Sequence, residues 1–272
     1  MATVTLSKGA TVWFRKRGRG EPLLHIHGSA FGYRNFERLT PVMVRHFEVI
    51  DFDLPGYGQS QGGPIDQGMD ALADDVAELI GRLGYERVHL HGTSFGAMIG
   101  LTVAANHHEV VDRLVLSCFL ARYDRAARIM RSTWKRAARD SGMEAVADLT
   151  SVAGFARSFH ERDWAEEQLA SMREAFSHTR PEAFIASTET IERTDLSPLV
   201  GKVKAPTLLI AGDEDDMTPF RPATSGVGME VISRQLPNCE TEVLPECGHY
   251  LVIEQPEAAG SRIIEFLHRS ID

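Results

Sequence analysis

The five residues Gly92-Thr93-Ser94-Phe95-Gly96 constrain this chain more than any other stretch. They join an apolar run, Val88 to His91, to a segment from Phe95 to Ala105 that is apolar on nearly every side. The first reads as a buried strand and the second as a buried helix, with a single tight turn between them. A serine in such a turn must adopt a strained backbone to present its hydroxyl. Glycines two places to either side let strand and helix approach closely. The helix start behind Ser94 offers unpaired N–H groups and positive potential. A glycine-rich turn without chemistry has the same outline, so the motif gains weight only from partners elsewhere in the chain.

The same alternation runs through most of the sequence. Apolar runs at Leu23–His27, Phe47–Phe52, Leu114–Ser117 and Thr207–Ala211 read as strands, with a weaker one at Thr241–Leu244 and an early hairpin from Thr3–Leu6 to Thr11–Arg15. Between them, Leu72, Val76, Leu79, Ile80 and Leu83 fall on one helical face, and Ile263, Ile264, Phe266 and Leu267 mark the inner face of a terminal helix. Strands apolar throughout and separated by helices predict an α/β fold, a mostly parallel central sheet with helices on both faces. In such sheets ligands bind beyond the carboxyl ends of the strands. The stretch 120–191 breaks the alternation. It has helical patterns at Tyr123–Arg139, Trp164–Phe176 and Pro181–Ile191 and no convincing strand, so it reads as an inserted helical cap on a core formed by 1–119 and 192–272.

Composition narrows the partners. The chain has 272 residues, 43% of them hydrophobic and 25% charged, enough for a large core. Its net charge of −9 argues against nucleic acid and anionic membrane surfaces. Arg15-Lys16-Arg17 reads as a solvated hairpin edge. No apolar run reaches the roughly 18 residues of a membrane helix, and Met1–Ala10 has no signal-peptide core. Three cysteines, Cys118, Cys239 and Cys247, form neither a disulfide framework nor a zinc pair, and a cytoplasmic location is expected. No metal or organic cofactor is expected. The expected partner is a small-molecule substrate, and a homo-oligomer is left open.

A serine hydroxyl needs a base. Of the eleven histidines, His249 follows Gly248 after the last strand-like run and precedes the terminal helix, which places it on a loop at the carboxyl edge. His25, His89 and His91 lie within strands, His107 and His108 at a helix end, and His160 and His178 in the cap. The base needs an acid to hold one tautomer. Candidates crowd Gly212-Asp213-Glu214-Asp215-Asp216, with Asp124 a more distant choice, and a solvated charge run accounts for most of them. His27-Gly28-Ser29-Ala30 also follows a strand end. The N–H groups of Ser29 and Phe95 are the expected oxyanion donors, with Ala30 replacing Ser29 if the loop is offset by one. His27 is expected to brace that loop.

With these segments in hand, the chain resembles the α/β-hydrolase superfamily over nearly its whole length. The motifs are His27-Gly28, Asp53-Leu54-Pro55-Gly56-Tyr57-Gly58-Gln59-Ser60, Gly92–Gly96, Gly212–Pro219 and Gly248-His249, in the family's order. The resemblance puts the acid three residues after a glycine, hence at Asp215. It makes the Asp53–Ser60 stretch structural. It implies a serine hydrolase with Ser94, Asp215 and His249 as its triad, working through an acyl-enzyme. Relatives include esterases, lactonases, C–C bond hydrolases, perhydrolases, dehalogenases and epoxide hydrolases. The last two carry aspartate where Ser94 stands, and C–C hydrolases of ring-cleavage products usually have tryptophan after the histidine, where this chain has Tyr250. The cap segment Phe184–Asp195 is loosely similar to that of 3-oxoadipate enol-lactonases. Cys247 departs from the small residue usual before Gly248 and reads as a packing cysteine.

Cap aromatics Trp134, Phe155, Phe159, Trp164 and Phe176 supply pocket walls or cap core. Ala30, Trp134 and Tyr250 are the candidate substrate contacts. The expected substrate is a small to medium, largely apolar ester or lactone. Arg128, Arg131 and Arg180 are equivalent candidates for pairing with a substrate carboxylate. A C–C bond hydrolase acting on a vinylogous diketone and a ligand-binding protein on a hydrolase scaffold are the alternatives.

Overall fold

The apolar runs pair into one eight-stranded sheet in the computed structural model, which describes residues 2–269. The strands are β1 (Ala2–Thr5), β2 (Thr11–Gly18), β3 (Pro22–Ile26), β4 (Glu48–Phe52), β5 (Val88–Thr93), β6 (Val111–Ser117), β7 (Thr207–Gly212) and β8 (Cys239–Leu244). The helices are α1 (Thr40–Met43), α2 (Met69–Arg82), α3 (Phe95–Asn106), α4 (Arg125–Asp140), α5 (Met143–Gly154), α6 (Ala165–Ser177), α7 (Pro181–Arg193), α8 (Met229–Ser233), α9 (Leu251–Glu254) and α10 (Pro256–Leu267). Among the described residues no helix is long and apolar enough to cross a membrane.

The strand order is β1-β2-β4-β3-β5-β6-β7-β8. The β1–β2 and β2–β4 pairs are antiparallel and all others parallel. Successive strand residues face opposite sides. Leu24, Ile26, Ile50, Leu114, Leu116 and Leu209 join one core with α2 and α3. Leu23, Val49, Val115, Leu208 and Ile210 join a second with α10 and most of the helical insert. Both faces are buried, which is why these strands read as unbroken apolar runs rather than as alternating ones.

From β3 the chain moves outward to β4 and then returns to place β5 on the other side of β3. That reversal is the topological switch point, and a crevice opens there at the strands' carboxyl ends. The loop after β3 and the turn after β5 carry His27-Gly28 and Ser94, so the sheet order brings them together. Between β6 and β7 the insert is all helical, α4 to α7. α5 was not anticipated from the sequence. Its buried residues Met143, Val146, Ala147, Thr150 and Ser151 mix polar with apolar and blur the periodicity. α7 runs to Arg193, two residues past the expected edge of the insert.

One expectation is corrected. Arg15 and Arg17 are not merely a solvated edge. Arg15 Nε and Arg17 Nη2 each lie 3.0 Å from Oδ2 of the buried Asp51, whose Oδ1 is 2.9 Å from His25 Nδ1. Burial alone would raise the Asp51 pKa, but His25 and Arg15 outweigh it and hold the carboxyl below its ordinary value.

Candidate active site

Ser94 is the residue between β5 and α3, with φ 55° and ψ −116°. A non-glycine residue in this region is strained by roughly 1–3 kcal/mol. The surroundings hold it there: Ser94 N–H donates to Ser117 O at 2.8 Å, and Ala97 N–H donates to Ser94 O at 3.0 Å. Gly92 and Gly96 are required by contact. A Cβ on Gly92 would lie 2.2 Å from Gly96 O, and one on Gly96 would lie 2.0 Å from Ile26 O. The strand–turn–helix reading therefore rests on backbone packed against backbone.

Asp215 lies past the end of β7 and is saturated with hydrogen bonds. Its Oδ1 accepts from Met217 N–H (2.9 Å) and Thr218 N–H (2.8 Å), and its Oδ2 accepts from the Thr218 hydroxyl (2.7 Å). His249 Nδ1 is 2.9 Å from the same Oδ2. Burial opposes ionisation of Asp215, but the His249 imidazole and the Thr218 donors outweigh it and leave the carboxyl below its ordinary value. An ionised carboxylate can only accept, so His249 Nδ1 carries a proton and Nε2 is the ring nitrogen left for a reacting group. Thr218 is a further partner of the pair. It stands within 3.0 Å of His249 Nδ1 as well and braces both residues.

The other candidate acids are placed elsewhere. Asp124 caps α4 by accepting from Ala127 N–H and also takes Ala223 N–H. Asp213 accepts from Cys247 N–H and Glu214 from Arg157 N–H. Among the described residues Cys118, Asp215 and His249 alone gather donors within 4.8 Å of one another as a metal would require. The Asp215 oxygens are already committed to four donors. Burial first, and then Asp215 itself, push the Cys118 thiol well up, so this trio fits a hydrogen-bonded pair beside a protonated thiol better than a cation site.

His27 braces the neighbouring loop, as expected. Its Nε2 accepts from Leu54 N–H at 2.9 Å and its Nδ1–H donates to Gly28 O at 2.6 Å. Burial lowers its pKa to about 4, so it is neutral near pH 7. Asp53 accepts from Tyr33 N–H and Gln59 N–H, and the Ser60 hydroxyl closes the turn on Asp53 O. The Asp53–Ser60 stretch is thus a backbone brace.

Ser94, Ser29, Ala30 and His249 open into one small cavity of about 30 Å³, walled by Trp134, Phe176, Phe184, Met217 and Tyr250. That volume holds little more than two water-sized groups. All three candidate substrate contacts line it. Phe155, Phe159 and Trp164 do not; within the insert Phe155 stacks on Phe159, and Phe159 meets Trp164 edge to face. Phe95 lines a separate crevice with Tyr57 and Leu72 and is not among the residues lining the Ser94 cavity. No hydrogen bond joins Ser94 to His249 in this conformation; such contacts often tighten only around substrate.

The histidine loop is tied to the insert. His249 N–H donates to Gly154 O at 2.6 Å. The buried Glu254 carboxylate accepts from Gly248 N–H (3.0 Å) on one side and Ala156 N–H (3.1 Å) on the other. Burial raises Glu254 to about 7, against the pull of those two donors and of Arg162. A glutamate five residues after a histidine gave no signal in the sequence that it would turn inward.

The sequence pattern described as the alpha/beta hydrolase fold matches residues 21–256. The chain is 24% identical to 2-hydroxy-6-oxo-6-(2'-aminophenyl)hexa-2,4-dienoic acid hydrolase of Metapseudomonas resinovorans, over 97% of this chain and 90% of that one. It is 27% identical to a 2-hydroxy-6-oxononadienedioate/2-hydroxy-6-oxononatrienedioate hydrolase of Burkholderia vietnamiensis, over 95% and 91%. Among solved structures it is similar to the enol-lactonase from Burkholderia xenovorans, with TM-score 0.88, 24% identity, and 98% and 100% of the two chains covered. It is also similar to a thermophilic esterase from Thermogutta terrifontis, with TM-score 0.85, 27% identity and 98% of each chain covered.

Proposed function

The chain belongs to the α/β-hydrolase family and is a hydrolase, and from that premise we propose that it cleaves a carboxylic ester or lactone of a small-molecule substrate through an acyl-enzyme on Ser94. The observation that carries this reading is the strained Ser94 opening into the same cavity as His249, whose Nδ1 is held by Asp215. His249 Nε2 takes the Ser94 proton as the hydroxyl attacks the carbonyl, and Asp215 stabilises the imidazolium that forms. The oxyanion is met by Phe95 N–H and Ser29 N–H, with Ala30 N–H as the neighbouring donor. His249 then returns the proton to the leaving alkoxide and activates water for the second step. The helical insert acts as a cap whose side chains close over the bound substrate. The small cavity implies that this cap shifts to admit anything larger than a few atoms.

A second reading, C–C bond hydrolysis on the same triad, is favoured by the names of the dienoic acid and dienedioate hydrolases. Labelling by a fluorophosphonate probe, in wild type and Ser94→Ala, tests the shared step. Parallel turnover of a short p-nitrophenyl ester and a vinylogous diketone separates the two readings. Labelling confined to the wild type with ester turnover supports the first. Absence of labelling in folded wild type would sink both and favour a ligand-binding role.

A further inference from the structure

One residue of the cavity wall is out of keeping with the rest. The inward face of α4 is Ala127, Arg131, Trp134 and Ala138, a helical stripe with one arginine among apolar residues. Arg131 is 3% exposed and lines the Ser94 cavity. Its Nη2 donates to Tyr123 Oη at 2.8 Å. Its Nε and Nη1 are buried with no hydrogen-bond partner, and no carboxylate among the described residues forms an ion pair with it. The guanidinium lies 4.7 Å from the Tyr123 ring centroid and 5.5 Å from that of Trp134, contacts that offset only part of its lost hydration. Arg128 and Arg180 are unlike it. Arg128 is exposed, and the largely exposed Arg180 faces Glu182 at 3.9 Å.

A buried cation is ordinarily paired, because an unpaired one forfeits its solvation. Arg131 lines the cavity while two of its nitrogens are buried without a partner, and a carboxylate entering there would supply the acceptors and the counter-charge that the guanidinium lacks. Building on the hydrolase reading, we infer that Arg131 is an anion-binding residue of the substrate pocket, and that the substrate carries a carboxylate alongside the bond attacked by Ser94. This revises the expectation of a largely apolar substrate: the walls are apolar, but one end of the ligand is charged.

The test pairs kinetics with binding. p-Nitrophenyl hydrogen glutarate carries a carboxylate on the acyl side, and 4-butyryloxybenzoate carries one on the leaving-group side. Each is compared with its neutral counterpart, p-nitrophenyl valerate and phenyl butyrate. The wild type should favour one anionic ester by about 30-fold or more in kcat/KM, the discrimination expected of a desolvated charge pair. In Arg131→Gln that ratio should collapse toward one, and Arg131→Lys should retain part of it. Calorimetric titration of Ser94→Ala with free glutarate reads the anion site without turnover. Binding should be saturable and weaken by about 30-fold or more when Arg131→Gln is added. Neutral esters favoured by the wild type, or a preference and glutarate affinity untouched by Arg131→Gln, would overturn the inference. If the glutamine variant does not fold, the lysine variant decides by the same ratio. If no ester is turned over and Ser94 is not labelled, the hydrolase reading fails, while glutarate titration still decides the anion site.

Discussion

The two halves of the cavity are built on opposite terms. On the sheet side, Asp215, His27, Asp53 and the Ser94 backbone are saturated with hydrogen bonds, most of them from backbone groups. On the helical side, Trp134, Phe176 and Phe184 offer apolar surface, and the single buried charge, Arg131, is left with two idle donors. Saturated groups in low dielectric are stiff, and they hold a reactive geometry at no further cost when substrate arrives. Idle donors and apolar walls gain only when a ligand arrives. The difference teaches that the sheet fixes the groups of the proposed chemistry, whereas the insert contributes the surface that a ligand would meet.

That division breaks if substitutions on the sheet side alter selectivity rather than rate. The largest expected effect is Ser94→Ala, which should lower kcat by about 10⁶-fold with KM little changed, read by single-turnover ester hydrolysis. Asp215→Asn should lower kcat by about 10⁴-fold, since an amide at that position favours the wrong His249 tautomer. Comparable kcat in the variant would show that the pair does not act as a unit. Gly96→Ala tests the scaffold itself. Its Cβ would meet Ile26 O at 2.0 Å, so denaturant unfolding should show a loss of about 3 kcal/mol. On the other side, Trp134→Ala should raise KM for aromatic esters by about 10-fold and leave kcat within a few-fold, because it removes apolar wall and no reacting group.

The smallest expected effect sharpens the comparison where the halves meet. Glu254 sits at about 7 instead of 4.5, so the folded protein holds a proton that the unfolded chain releases between those values. Its contribution to stability therefore falls as pH rises from about 4.5 to about 7 and then levels off. Asp215 behaves oppositely. Its lowered pKa adds stability above the ordinary carboxylate range, which is lost as pH falls through the folded value. Glu254→Gln should flatten the decline in Tm between pH 5 and pH 8. An unchanged slope would mean that the carboxyl does not titrate in the fold. The groups facing it are Arg162, whose guanidinium also donates to Glu254 O, and Asp215.

Much of this was legible in the residues. The apolar runs located β3 to β7, because strands buried on both faces leave unbroken hydrophobic stretches, whereas β1, β2 and β8 are largely exposed or half-buried and gave weaker signals. Gly92, Ser94 and Gly96 were legible because their constraint is local: a turn too tight for side chains admits few sequences. The His249 loop was legible from its place after the last strand. Asp215 was not separable from Asp213, Glu214 and Asp216 by residue type, and only the family's spacing pointed to it. In the fold, Thr218 and His249 select it by hydrogen bonds that no neighbouring acid makes. Helix α5 stayed hidden because its buried face is part polar.

What the chain determined by itself, then, is whatever depends on short-range sterics and periodic burial: strands, helices, the serine turn and the order of the motifs. Tertiary structure alone decided which charges lost their water. Arg128 and Arg131 differ by three positions on one helix, yet one is solvated and the other is buried over the cavity with no carboxylate paired to it among the described residues. Glu254 and Glu257 differ as little, yet only the first is buried and holds two loops together. Desolvation depends on what packs against a side chain from distant parts of the chain, and no local pattern encodes that.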